Sequence, residues 1–353
     1  MTGLAPALLA LLAIGVVGCG PGRAPNAERP PPGSTPSVKE SPVAPPQPFP
    51  PPGKVFLGIN TNAGAYDFAD ADAFARATGY QPAAMQFTQG WESNRFDRSV
   101  FDRIAERHML PILSWEPWDY QLRGEARDNG QQPRYRLANI IAGQFDPYIR
   151  SWAEGIAALP YPVALRLAHE MNGFWYPWCE KSNQNQPGDY VKAWRHIHAI
   201  FAEAKARNVT WLWSPNVSYT GSTPLAGLYP GDDFVDWVGL SGYYGTAGTN
   251  SYRSFDRIFT ATFDELATFT GKPIVITETG ATNSQGWREK WVREMFAQLP
   301  QHKQVVGVIW FEAVKEIDWR LSASPAAAKA FGENAAQDRY LTPWTTRSFP
   351  TIR

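Results

Sequence analysis

Eight short runs rich in β-branched and aromatic residues recur between residues 55 and 313. They are VFLGIN (55–60), AAMQFTQ (83–89), LPILSWE (110–116), PVALRLAHE (162–170), VTWLWSPN (209–216), VDWVGLSGY (235–243), KPIVITETG (272–280) and VVGVIWFEA (305–313). Longer amphipathic stretches lie between them, such as 99–109, 146–159, 189–208 and 287–299. The runs are nearly continuous in apolar residues, as expected of strands buried on both faces beneath covering helices. Eight such alternations predict an α/β protein, a single (β/α)8 TIM barrel. An open doubly wound sheet is the competing arrangement, but the first strand ends GINTNAGAYD and carries no GxGxxG turn. The stretch after VTWLWSPN is poor in helix-forming pattern, so one barrel helix is expected to be short or missing.

The N-terminal part reads differently. Leu8 to Val17 is an apolar run of signal-peptide length, too short to span a membrane. It ends Val16-Val17-Gly18-Cys19, a lipobox-like sequence in which Cys19 would be lipidated; no Lys or Arg precedes the run. Residues 1–18 are therefore expected to be a lipoprotein signal peptide. Residues 19–53 are dominated by Pro, without periodicity, and are expected to be a disordered linker. Residues 54–353 would form the catalytic domain. The expected location is outside the cytoplasm, lipid-anchored at the outer face of a bacterial membrane or secreted. Cys179, the other of the chain's 2 cysteines, is expected to be a buried lone thiol.

Formal net charge is zero, with no block of like charge, which argues against nucleic acid or an anionic membrane surface as the main partner. The expected state is a monomer whose only membrane attachment is the lipid. Aromatic residues make up 14% of the chain and 15 of them are Trp. So many indoles suggest that some line a surface, where flat rings suit the C–H faces of sugars.

Two of the predicted strands, the fourth and the seventh, carry a Glu at or near their C-terminal end, which is where barrel enzymes place their chemistry: Glu170 and Glu278. Across a barrel mouth they would face each other. Two carboxyls about 5 Å apart are the requirement of a retaining glycosidase, one protonated as acid/base and one ionised as nucleophile. Other chemistries fit less well. His169-Glu170 is not a zincin motif, because position 173 is Gly. No GxSxG is present. His196 and His198 point to different helix faces, and the acids Asp232, Asp233 and Asp236 lack EF-hand spacing. No metal and no organic cofactor is expected.

RLAHEMNGFWYPW (166–178), YPGDDFVDWVGLSGYYG (229–245), PIVITETG (273–280) and VGVIWFEAVKEIDWR (306–320) occur in order. Together they resemble the signatures of glycoside hydrolase family 26, which contains mainly β-mannanases with some mixed-linkage β-glucanases and β-1,3-xylanases. The resemblance implies Glu170 as acid/base and Glu278 as nucleophile. It also implies Tyr243 as the Tyr holding the nucleophile, with Tyr244 as rival if the register differs by one. Trp310 would be the stacking Trp under the sugar being cleaved, Trp175 an aromatic on the leaving-group side, and His169 an orienting residue. The mechanism would be double displacement on a polysaccharide, most simply β-1,4-mannan or glucomannan.

Two departures qualify the mannan expectation. Many mannanases carry Trp-His at the end of the third strand, whereas this chain has Trp115-Glu116, and Ser241 stands where Asp is frequent. Trp115 and Glu116 are accordingly candidate substrate-binding residues near the cleavage subsite. A salt bridge from Glu116 to Arg123 is the alternative for that carboxylate. A mixed-linkage β-1,3-1,4-glucanase, a transglycosylase and a non-catalytic surface carbohydrate-binding barrel are the alternative functions.

Overall fold

The structure is a computed structural model and describes residues 47–92, 95–122, 130–245 and 251–350. Cys19, the expected signal peptide, most of the Pro-rich stretch and Arg123 lie outside the described residues.

The first described element, β1 (Gln47–Phe49), pairs in parallel with β10 (Ser348–Pro350). The eight apolar runs form β2 (Phe56–Thr61), β3 (Ala84–Gly90), β4 (Leu110–Glu116), β5 (Val163–Leu167), β6 (Val209–Trp213), β7 (Trp237–Tyr244), β8 (Ile274–Ala281) and β9 (Val305–Glu312). Every neighbouring pair is parallel, and β9 closes on β2, giving an eight-stranded barrel. Helices α1 (Ala69–Thr78), α2 (Arg98–Glu106), α3 (Leu137–Ile141), α4 (Asp146–Ala157), α5 (Asp189–Glu203), α6 (Phe255–Ala267), α7 (Trp287–Gln298) and α8 (Pro325–Ala335) connect the strands. The (β/α)8 expectation is met. Between β6 and β7 the described chain makes only short 3₁₀ turns, Leu225–Leu228 and Asp232–Phe234, so the barrel helix expected to be missing is missing.

The helices follow from their patterns. In α2, Val100, Phe101, Ile104 and Ala105 form one buried stripe, and the Asp97 carboxylate caps the first turn by accepting from Ser99 N. In α6, the Ser254 hydroxyl does the same for Arg257 N.

The folded part begins earlier than expected. Gln47–Phe49 falls in the stretch predicted to be linker, yet Phe49 is fully buried. Its ring packs on Phe56 at 5.1 Å, and Phe56 stacks on Trp237 at 5.6 Å. Phe56 and Trp237 begin their strands, so these three rings close the N-terminal end of the barrel. One aromatic residue with a matching gap outweighs a Pro-rich local composition.

Most of the indoles are core and few reach a surface. Thirteen of the 15 Trp are buried, and only Trp175 and Trp287 are partly exposed. Most serve the packing between strands and helices. Trp115 packs on Trp91, Tyr148, Trp152 and Phe201, with centroid distances of 4.7 to 5.9 Å. Among the described residues no helix is long and apolar enough to cross a membrane.

Candidate active site

β5 stops at Leu167, three residues short of the run read from the sequence. Beyond it the chain turns sharply, with Ala168 and Glu170 at φ 44° and 55°. Such positive values cost about 1–3 kcal/mol each for residues with a Cβ and persist only when neighbours enforce them. Here they do. Glu170 N donates to Ser214 O at 2.7 Å and Ala168 N to Trp115 O at 3.0 Å. Tyr190 Oη donates to Ala168 O at 3.2 Å and Trp178 Nε1 to His169 O at 2.6 Å. The turn aims the Glu170 side chain into the barrel mouth, where it accepts from Trp175 Nε1 at 3.0 Å and Asn216 Nδ2 at 3.2 Å.

Glu278 lies within β8, and its side chain is 16% exposed. Its Oε1 accepts from Arg166 Nη1 at 2.5 Å and Gln86 Nε2 at 3.4 Å; its Oε2 accepts from Tyr243 Oη at 2.7 Å. β7 has a register shift at Leu240/Ser241 in its pairing with β8, opposite Glu278. Such irregularities commonly re-aim side chains beside active sites. Tyr243, not Tyr244, meets the carboxylate. Tyr244 is fully buried and packs outward on Tyr252 and Trp287.

Arg166 underlies the whole centre. It is completely buried and donates to Ser214, Ser114 and Ser241 at 3.0, 3.0 and 2.8 Å, besides its bond to Glu278. A buried guanidinium needs a negative partner and hydrogen-bond acceptors, and this one has Glu278 and three hydroxyls.

The two carboxyls are driven to opposite protonation states. Burial raises the Glu170 pKa above the usual carboxylate range, and the negative charge of Glu278 raises it further, against opposition from Arg166, Ser241 and Asn216. Burial also acts to raise Glu278, but the positive charge of Arg166, the Tyr243 hydroxyl and Lys315 outweigh it and hold the carboxyl below its ordinary value. The shared environment thus favours the protonated form of Glu170 and the ionised form of Glu278.

Glu116 and His169 adjoin this pair. Both are buried, with His169 Nδ1 3.4 Å from Glu116 Oε1. Glu116 accepts from Trp118 Nε1 at 2.8 Å, and His169 Nε2 lies 3.3 Å from Tyr176 Oη. Burial pushes Glu116 up to about 8 and His169 well below its ordinary value, so near neutral pH the pair is largely uncharged. Glu116 therefore enters the site as a carboxyl held by Trp118 and disposed to keep its proton.

Two predicted binding residues are elsewhere. Trp310 is fully buried, against Trp291 at 6.0 Å and Phe331 at 6.4 Å of the helix layer, with Nε1 donating to Trp319 O at 3.1 Å. It presents no face to a ligand. Its half-buried neighbour Phe311 meets Tyr243 edge-on at 5.8 Å and is the aromatic of β9 at the mouth. Trp115 likewise faces the helices, so it supports β4 without touching a ligand. Trp175, His169, Tyr243 and Glu116 are all at the centre.

Arg166, Asn216, Gln86 and Phe311 were not anticipated. Arg166 left a signal, since a lone charge inside the otherwise apolar PVALRLAHE demands a buried partner. Asn216 left none. The remaining candidates are structural: His196 Nε2 bonds Asp146 Oδ1 at 2.7 Å, and His198 packs on Trp211 at 4.8 Å. Asp232 accepts from Tyr229 Oη at 2.6 Å and Asp236 from Trp211 N at 2.8 Å. Among the described residues no group of three or more His, Cys, Asp or Glu is placed to hold a metal. Cys179 is buried as expected, its thiol pushed up to about 12 by burial.

A closed parallel barrel with two oppositely tuned carboxyls at the C-terminal mouth is the arrangement of the barrel glycoside hydrolases. Residues 134–308 match the family model described as glycosyl hydrolase family 26. Endoglucanase H of Acetivibrio thermocellus is 32% identical over 260 residues, 70% of this chain and 27% of that protein. A mannan endo-1,4-beta-mannosidase of Bacillus subtilis (strain 168) is 28% identical over 246 residues, 63% of this chain and 64% of that protein. The chain thus spans about a quarter of the first relative and just under two thirds of the second. The solved GH26 beta-mannanase from Bacteroides ovatus shares the fold, with a TM-score of 0.61 and 17% identity over 82% of this chain and 91% of that one. The family model thus places residues 134–308 in glycosyl hydrolase family 26.

Proposed function

We propose that the protein is a retaining endo-β-glycosidase that hydrolyses a β-linked polysaccharide by double displacement. The observation that carries the reading is the placing of two carboxyls at the barrel mouth, Glu278 held by Arg166 and Tyr243 and Glu170 by Trp175 and Asn216. Glu278, ionised and held by Arg166 and Tyr243, attacks the anomeric carbon and forms a glycosyl ester. Glu170, kept protonated, gives its proton to the departing glycosidic oxygen. It then takes a proton from the water that cleaves the ester, so the anomeric configuration is retained. Phe311 and Trp175 supply apolar faces beside the reacting sugars.

Two backbones suit this centre. Resemblance of the motifs to those of mannanases supports β-1,4-mannan or glucomannan. Mixed-linkage β-1,3-1,4-glucan is supported by Glu116 in place of the frequent His and by the relative named endoglucanase, and we favour the glucan. Mannose and glucose residues differ at the C2 hydroxyl, so one altered hydrogen-bonding group beside the cleavage site can exchange the preference. The test is release of reducing ends from barley glucan, glucomannan and pure β-1,4-mannan, run side by side. Cleavage of the glucan above the mannan is expected. Cleavage of pure mannan alone would restore the mannanase reading, and no cleavage across a broad β-glycan panel would favour a non-catalytic binding barrel.

Export with lipid attachment at Cys19 completes the reading and rests on the sequence of residues 1–19. Mass spectrometry of the protein from bacterial membranes should find an N-terminal diacylglyceryl-Cys19. A soluble chain starting elsewhere would overturn it.

A further inference from the structure

The described surface has few large exposed apolar side chains, and two of them adjoin Glu170: Phe174 is 59% exposed and Tyr219 is 37% exposed. Both touch Trp175, whose indole donates to Glu170. The Tyr219 ring stacks on Trp175 at 6.0 Å and 28°, and Phe174 meets it edge-on at 5.4 Å. The three rings make one aromatic surface that starts at the proposed acid/base and reaches solvent.

Its underlying loops are rigidly joined. Asn216 N donates to Asn172 Oδ1 and Asn172 Nδ2 donates to Asn216 O, both at 2.9 Å. Thr223 N donates to Asn172 O at 2.9 Å, and Lys181 Nζ reaches Gly221 O at 2.5 Å. The Ser182 hydroxyl donates to Phe174 O. Asn216 also holds Glu170, so the platform and the carboxyl share one framework. Gly173 is required there, because a Cβ at that position would lie 2.6 Å from the Trp175 ring. Exposed aromatic rings on pre-ordered loops lose little entropy on binding.

The surface also has a direction. It rises from the loops after β5 and β6, whereas Glu278, Tyr243 and Phe311 belong to β8, β7 and β9. It therefore extends from the acid/base on a different sector of the mouth from the nucleophile.

We propose that Tyr219 and Phe174, continuing from Trp175, bind the sugar units on the leaving-group side of the scissile bond, beyond the one next to Glu170. This rests on the glycosidase reading above, and the experiment separates the two. The rates compared are those on the preferred polysaccharide and on an aryl oligosaccharide whose sugars all lie on the nucleophile side. Tyr219→Ala and Phe174→Ala should each lower the polymer-to-aryl ratio of kcat/KM by about 3- to 10-fold, mostly through KM. Tyr219→Phe should restore most of the ratio, since a ring and not a hydroxyl is needed. Thermal melting establishes that the variants are folded. An unchanged ratio in both alanine variants overturns the proposal. Should the wild-type chain cleave neither substrate, the glycosidase reading fails, and calorimetry with cello- and manno-oligosaccharides decides the surface by itself. Binding weakened by Tyr219→Ala would uphold it, and undiminished or absent binding would overturn it.

Discussion

Replacing Glu278 is expected to reduce polysaccharide hydrolysis by at least about 10⁴-fold, the scale seen when a covalent nucleophile is removed. The choice of replacement matters. Alanine strips Arg166 of its only anionic partner among the described residues, at 2.5 Å, and leaves a buried guanidinium uncompensated. Breaking a buried pair in this way costs about 3–5 kcal/mol of stability. Glu278→Ala should therefore melt at a lower temperature as well as lose activity. Glu278→Gln keeps an oxygen for Arg166 and preserves most of the hydrogen bonding, but it cannot attack. The expected pattern is two inactive variants, with the glutamine variant closer to wild type in melting temperature. Wild-type turnover by a freshly prepared Glu278→Gln chain would sink the assignment.

Glu170→Ala is expected to separate two kinds of substrate. Polysaccharide hydrolysis should fall by about 10²–10⁴-fold, the contribution of a positioned proton donor. An aryl glycoside with an acidic phenol leaves without protonation, so its first step should be spared and the glycosyl-enzyme should accumulate. Azide, which needs no general base, should then speed turnover and give a β-glycosyl azide. The pH profile supplies the sign. Activity requires Glu278 ionised and Glu170 protonated. It should fall as pH drops through the lowered ionisation of the pair and again as pH rises through the raised one. In Glu170→Ala the alkaline limb should vanish for the activated substrate. An alkaline limb unchanged from wild type, or no effect of azide, would mean that another group is the acid.

What could be read ahead of the structure divides along physical lines. The barrel was legible because eight separate apolar runs and their amphipathic connections each report burial independently. Glu170 and Glu278 were legible because two carboxyls near the ends of the fourth and seventh runs, each in a marked motif, are far less expected by chance than one. The facing of aromatics on the strands was not. A strand of a parallel barrel is buried on both sides, so its sequence shows no alternation to tell inside from outside. Trp310 and Phe311 are adjacent and both apolar. Only the barrel's closure sends Trp310 to Trp291 and Phe331 while Phe311 meets Tyr243. Trp115 was misplaced for the same reason, packing on the helices beside a Glu116 that does face the site.

The charge states were equally hidden. Glu116 is one residue in a strand, and its neutrality comes from burial beside His169, a residue more than fifty positions away. Arg166 could be suspected from its setting, but its four partners lie on β4, β7, β8 and the segment after β6. The amino-acid sequence by itself determined the number and order of the strands and the two carboxyls near strand ends, because each is a local feature with a local physical cost. The tertiary structure alone decided which rings meet the mouth, that Phe49 plugs the barrel's other end, and that Tyr243 rather than Tyr244 meets Glu278. Those depend on distances between segments that only the closed barrel brings together.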